Sequence, residues 1–324
     1  MDKVRWGIIG CGNVTEKKSG PAFYKSDGSE LVAVMRRDGQ KAQDYAKRHN
    51  VPKWYDDADK LINDANVNAV YIATPPSSHA EYTIKAAKAG KAVYVEKPMA
   101  LNYGQCREMI EACEKANVPL YVAYYRRRLP DFLKVKELVD SGIIGDVRLV
   151  TIELINAPRP ELNSPELPWR VKPEIAGGGY FLDLASHQLD YLDYVFGPIA
   201  KAQGRFGNQA GLYPAEDIVC GDFVFESGVM GTGMWCFTVS KAGHTDRMQI
   251  IGSKGKITFA SFDIVPIVLE TENGKQELTI PRPEHVQQPL VQTVVDELLG
   301  RGTCPSTGQT GARTSKVMDA ILGR

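Results

Sequence analysis

The chain has no excess of either charge: Lys plus Arg and Asp plus Glu each number 39, so the formal net charge is zero. A balance of that kind gives no electrostatic reason to expect nucleic acid or an anionic membrane as a partner, and it favours a small molecule. The six cysteines (11, 106, 113, 220, 236 and 304) include no C-x-x-C pair and no close cluster with the five histidines, so no metal site is expected. They read as reduced thiols of a cytoplasmic protein. No apolar run approaches membrane-spanning length. The N-terminus, Met1-Asp-Lys-Val-Arg-Trp-Gly7, enters a strand without a basic-then-apolar leader, which again predicts the cytoplasm. Internal repeats and low-complexity tracts are absent as well.

What is present is alternation. At 324 residues, and with roughly 150 residues to a domain, two domains are expected. From residue 3 to about 123, β-rich runs (Val4-Ile9, Glu30-Arg36, Ala69-Ala73, Ala92-Val95, Leu120-Ala123) alternate with helical patterns (Gln40-His49, Ala58-Asp64, His79-Ala89, Tyr103-Ala116). That order is the mark of βαβ units and a parallel sheet. Beyond Tyr124 the pattern changes. A helix over Asp131-Ser141, a strand from Val147 and a proline-rich loop over Asn156-Pro173 precede a further helix. Alternating strands parted by glycine turns then run from Lys201 to about Ile280. Helices close the chain at Gln287-Leu299 and Gly311-Leu322. The fold class predicted is α/β: a Rossmann dinucleotide-binding domain over 1–123, with a C-terminal helix (305–324) packing back on it. An α+β domain with a large, mostly antiparallel open sheet follows over 124–304 and serves substrate binding and oligomerisation.

Gly10-Cys11-Gly12-Asn13-Val14-Thr15 joins the first strand to the first helix. Gly10 permits a tight turn and Gly12 lets backbone approach a pyrophosphate that faces the helix N-terminus, while Thr15 replaces the third small residue of G-x-G-x-x-G/A. Gly10, Gly12, Asn13 and Val14 are therefore the predicted phosphate cradle. At the end of the second strand, where an acid would bind the ribose 2′-hydroxyl of NAD, the chain has Arg36-Arg37-Asp38. Guanidinium groups suit a 2′-phosphate, so Arg36 and Arg37 favour NADP; Asp38 keeps NAD as the alternative if the strand ends later.

Two further motifs carry chemistry. Glu96-Lys97-Pro98 follows the apolar run Ala92-Val95, and a lysine beyond the carboxyl end of a parallel strand points toward a ligand. After the glycines at 177–179, Leu182, Ala185, Leu189, Leu192 and Phe196 form an apolar stripe, while Asp183, His187 and Asp190 share the other face. Residues four apart stack one turn above each other, so Asp183 and His187 can converge on one ligand. Hydride transfer at an alcohol carbon needs proton transfer at its oxygen, which histidine supports near neutrality; an aspartate can hold a neighbouring hydroxyl and a lysine can polarise a carbonyl. The three glycines allow close approach of a ligand or cofactor.

Together with Thr74-Pro-Pro-Ser-Ser-His79, Tyr124-Tyr-Arg126-Arg127, Trp169-Arg170 and Gly252-Ser-Lys-Gly-Lys256, these motifs resemble the glucose-fructose oxidoreductase and inositol dehydrogenase (Gfo/Idh/MocA) family over nearly the whole chain. The resemblance implies catalytic roles for Lys97, Asp183 and His187. Thr74, Pro75, His79, Glu96, Trp169 and Arg170 would serve the cofactor, and Tyr124 and Arg126, with Asp183 and His187, the substrate. It further implies an NAD(P)-dependent oxidoreductase acting on a secondary alcohol or carbonyl of a sugar, cyclitol or polyol, in a homodimer or homotetramer. The alternatives are a redox-neutral glycosidase or lyase with tightly held dinucleotide, and a non-catalytic dinucleotide-binding regulator. Tyr125 stands where the family often has Asn before Arg-Arg, a departure that implies a substrate pocket different from that of inositol or glucose enzymes.

Overall fold

A computed structural model describes residues 2–324. The chain divides into two compact units, Met1–Leu129 with Pro283–Ala312, and Pro130–Arg282 with Arg313–Arg324.

The first unit is built on β1 (Val4–Ile9), β2 (Ser29–Met35), β3 (Lys53–Tyr55), β4 (Ala69–Ile72), β5 (Ala92–Val95) and β6 (Leu120–Val122), all parallel and ordered β3-β2-β1-β4-β5-β6. That is the doubly wound order, whose ligands bind beyond the strands' carboxyl ends where the order reverses, between β1 and β4. Every residue of β4 and β5 is buried, as their unbroken apolar runs require of central strands covered on both faces. The connecting helices are α1 (Asn13–Lys17), α2 (Ala22–Lys25), α3 (Gly39–Arg48), α4 (Ala58–Ile62), α5 (His79–Lys88) and α6 (Tyr103–Lys115). Strand β3, only three residues long, is too short to show a period in the sequence.

The second unit begins with α7 (Pro130–Asp140) and β7 (Val147–Ile155), followed by α8 (Pro173–Ala176) and α9 (Tyr180–Phe196). Strands β8 (Ile199–Gly207), β9 (Ile218–Phe225), β10 (Met230–Cys236), β11 (Thr245–Gly252), β12 (Gly255–Phe259), β13 (Ile267–Thr271) and β14 (Gly274–Leu278) complete an eight-stranded sheet. Its order is β14-β13-β12-β11-β7-β10-β9-β8, antiparallel except where β10 runs parallel to β7. Helix α9 covers one face. The Phe181 ring meets Trp235 with centroids 5.0 Å apart, and the Trp235 indole donates to Gln188 Oε1 at 2.8 Å. On β10 a side chain at Gly233 would stand 2.0 Å from the Trp235 ring, so glycine there makes room for the indole.

Helices α10 (Gln288–Leu298) and α11 (Gly308–Ile321) end the chain. Leu290, Val291, Val294 and Val295 on α10 are fully buried in the cluster that holds Trp6, Phe23, Tyr71 and Tyr94. This stripe is why residues from Pro283 belong to the first unit, whereas sequence alone places 283–304 with the second. Ser306 then extends the β6 edge, donating through Oγ to the Val122 carbonyl at 2.7 Å. From Arg313 onward α11 packs with the second unit: Arg313 grips Asp193 with two bonds of 2.8 and 2.7 Å. The expected single return of 305–324 onto the dinucleotide domain is thus divided at Ala312.

Candidate active site

Gly10 adopts φ +93°, and its N–H donates to the Met35 carbonyl at 2.9 Å. A side chain there would meet Thr74 Cγ2 at 2.9 Å, which shows how closely the turn lies against the loop after β4. At Gly12 a side chain would meet nothing nearer than the Gly10 carbonyl oxygen at 3.8 Å, so the backbone before Asn13 and Val14 is open on that side. Helix α1 has only five residues, so its dipole is small. Thr15 is buried and donates to the Gly12 carbonyl at 2.8 Å. The close-packing glycine is Gly20 instead, where a side chain would stand 2.0 Å from the Thr15 carbonyl oxygen.

Of the two arginines after β2, only Arg36 reaches the glycine turn, donating to the Cys11 carbonyl at 3.4 Å. Arg37 is exposed and borders a separate depression of about 370 Å³ with Asp56, Asp59, Lys60, Glu81 and Lys85. Asp38 caps α3, accepting from the Lys41 N–H at 3.2 Å and pairing with the Lys41 ammonium at 3.0 Å. Those contacts with Lys41 hold its carboxyl below the usual range.

His79, fully buried at the start of α5, lies with Nε2 2.7 Å from the Thr74 carbonyl and Nδ1 3.1 Å from that of Pro98. Burial lowers its pKa despite these carbonyls. The ring therefore lies between the loop after β4, which holds Thr74 and Pro75, and the one after β5. Glu96 is likewise buried, accepting from the Tyr71 hydroxyl and from Gln287 Nε2 at 2.6 Å. Its second oxygen takes the Lys97 N–H at 3.2 Å, and the Lys97–Pro98 peptide is cis. Tyr124 is fully buried in an apolar cluster with Val95 and Val122. Arg126 is buried with its guanidinium 5.3 Å from the centroid of the Tyr125 ring.

In the second unit, Asp183 lies in the first turn of α9 with His187 one turn on. Arg170 Nε pairs with Asp183 Oδ2 at 3.4 Å, its guanidinium stacked 4.3 Å from the Trp169 ring centroid. The His187 ring stands near-perpendicular to Phe262 at 6.0 Å. Asp190 is fully buried and takes a 3.4 Å bond from Thr314. Two glycines of the run are required by packing. Side chains at Gly178 and Gly179 would meet Glu216 Oε1 and Ala215 Cβ, each at 2.9 Å, and Gly179 N–H donates to that Glu216 oxygen at 2.9 Å. Burial raises the pKa of Glu216. Its role had no sequence signal, because an acid 37 residues from its partner leaves no periodic trace.

Residues 4–124 match a family described as "Oxidoreductase family, NAD-binding Rossmann fold", and residues 132–258 match the "GFO/IDH/MocA C-terminal domain". The chain belongs to the GFO/IDH/MocA family of oxidoreductases. A relative covering 99% of both chains, at 41% identity, is "Oxidoreductase P35" of Formosa agariphila. The 1,5-anhydro-D-fructose reductase of Ensifer adhaerens is 27% identical over 95% of this chain and 92% of its own. Among solved structures, the aldose-aldose oxidoreductase of Caulobacter crescentus, complexed with glycerol, has a TM-score of 0.85 at 25% identity, covering 99% of this chain and 97% of that one. The first unit of this GFO/IDH/MocA protein is accordingly an NAD(P)-binding Rossmann domain. Among the described residues no group of His, Cys, Asp and Glu is arranged to hold a metal ion, and no helix is long and apolar enough to cross a membrane.

Proposed function

We propose that this protein is an NADP-dependent oxidoreductase that carries hydride to or from a secondary alcohol or carbonyl carbon of a sugar, cyclitol or related polyol. The bound cofactor supplies or accepts the hydride. His187 gives or takes the proton at the substrate oxygen, Lys97 polarises that oxygen or relays the proton, and Asp183 holds a neighbouring hydroxyl. The observation that carries this reading is the placement of Asp183 and His187 one turn apart at the start of α9, with Arg170 fixing the aspartate at 3.4 Å. The sugar class is supported by the aldose-aldose oxidoreductase and 1,5-anhydro-D-fructose reductase relatives. NADP is supported by Arg36 beside the glycine turn, and by Asp38, whose two carboxylate oxygens both engage Lys41.

We also read the chain as a homodimer or homotetramer, because the outer face of the eight-stranded sheet exposes Leu149, Met230 and Met234. A monomeric mass by light scattering would end that reading. That none of the six cysteines forms a disulfide supports a reducing, cytoplasmic location.

The deciding experiment offers a panel of sugars and polyols, oxidised and reduced, with NADP(H) and with NAD(H), and follows absorbance at 340 nm. Turnover with at least one member and a higher kcat/KM for NADP(H) is expected. No turnover with any member, or a clear NAD preference, overturns the corresponding part. Product formation without absorbance change, on cofactor retained through purification, would replace hydride exchange with redox-neutral bond cleavage.

A further inference from the structure

One cavity of the second unit is not absorbed by the catalytic assignment. It has a volume of about 180 Å³ and is bordered by Asn156, Arg159, Leu184, His244, Phe262 and Asp263. It shares walls with the catalytic helix: Leu184 directly follows Asp183, and the Phe262 ring faces the His187 imidazole with centroids 6.0 Å apart. The segment forming its far side is fixed in advance. The Asp246 carboxylate accepts the backbone N–H groups of Ser261, Phe262 and Asp263 at 3.0, 2.6 and 2.8 Å, so Phe262 and Asp263 are held before any ligand arrives.

His244 is the centre of the polar rim. Its Nδ1 lies 3.0 Å from Asn156 Oδ1 and its Nε2 2.8 Å from Asp263 Oδ2. The imidazole thus orients one amide and one carboxylate, each bidentate, and leaves the Asn156 Nδ2 donor and the Asp263 Oδ1 acceptor as their second arms. Arg159 adds further donors, its guanidinium stacked 4.7 Å from the Tyr180 ring centroid.

We propose that this cavity is the subsite for the part of the substrate remote from the reacting carbon. It would take a neutral ring bearing adjacent hydroxyls, with His244 and Asp263 as specificity-determining residues. Donors and acceptors are mixed, as hydroxyl groups require, and Phe262 with Leu184 offers apolar surface to ring C–H groups. The charges disfavour a sugar acid or a phosphate, because the rim offers an anion no net attraction. Arg159 and a protonated His244 balance Asp246 and Asp263, and a neutral His244 leaves a net negative rim. The hydrogen bond to Asp263 raises the His244 pKa, which favours the balanced state. The volume is below the roughly 300 Å³ of sites for drug-sized ligands and suits a single ring.

The proposal rests on the sugar or polyol reading above, and its test separates the two. Binding of D-glucose, myo-inositol, levoglucosan and D-glucuronate to the NADP-loaded protein is measured by calorimetry and ligand-observed NMR, for the wild type, His244→Leu and Asp263→Asn. The His244 and Asp263 side chains are 45% and 44% exposed, so neither variant disturbs a core. At least one neutral ring is expected to bind the wild type, each variant to weaken it about tenfold, as loss of a charge-assisted bond predicts, and glucuronate to bind more weakly than glucose. In turnover the variants should raise KM more than they lower kcat. The subsite is overturned if no neutral ring binds, if both variants hold affinity within about twofold, or if glucuronate binds more tightly than glucose. Ring binding that weakens in the variants, without hydride transfer to any ring, upholds the subsite and removes the oxidoreductase reading. Turnover that neither variant perturbs does the reverse.

Discussion

The Gln287 side-chain amide donates to the Glu96 carboxylate at 2.6 Å, joining residues 191 apart in sequence. The carbonyl end of the same amide accepts from the Tyr94 hydroxyl at 3.2 Å, and the Tyr71 hydroxyl donates to the same Glu96 oxygen. The backbone entry to Lys97 is thereby tied to the segment leading into α10. Removing one donor from a buried carboxylate costs about 1–3 kcal/mol. Gln287→Leu should lower unfolding free energy by about that amount in a denaturant titration, and a midpoint equal to that of the wild type would show that the network carries no stability.

Lys97→Ala and His187→Ala should each lower kcat by roughly a hundredfold or more, the scale of general acid-base catalysis, while dinucleotide binding followed by fluorescence persists. Near-wild-type turnover in both variants would overturn the catalytic assignment.

Arg36 is the cationic side chain after β2 that reaches the glycine turn, whereas Arg37 is exposed elsewhere. Arg36→Ala should therefore lower the ratio of kcat/KM for NADPH over NADH by about tenfold or more, the worth of a charge-assisted bond to phosphate. Arg37→Ala should change the ratio less. The opposite ranking would assign the 2′-phosphate to Arg37.

Glu16 accepts two bonds from Arg48, at 2.8 and 2.9 Å, and faces His49 Nε2 at 3.0 Å. The Arg48 guanidinium, aided by His49, holds its carboxyl down to about 2 from an ordinary 4.5. Because the folded-state value lies below the unfolded one, the stabilisation is complete above 4.5 and is lost as pH falls from there toward 2. Melting temperatures between pH 6 and pH 3 should consequently drop less steeply for Glu16→Gln than for the wild type. Parallel slopes would remove Glu16 from the acid sensitivity.

Local periodicity determined much of this protein. The apolar run Ala92–Val95 needed burial on both faces, the glycines at 10 and 12 needed a tight turn, and the stripe on α9 needed a sheet to cover. Each of these is a property of neighbouring residues, so the alternation of strands and helices, the nature of both sheets and the candidates Lys97, Asp183 and His187 were legible without coordinates. Tertiary structure decided what depends on residues far apart. It assigned the glycines at 178 and 179 to packing on Ala215 and Glu216, and Asp190 to Thr314. It also gave His79 to backbone carbonyls, placed α10 in the first unit's core and set His244 between Asn156 and Asp263. Hydrogen bonds and close packing act over a few ångströms of space, and a chain that folds back across 88 residues to join His244 to Asn156 leaves no record of that proximity in its order.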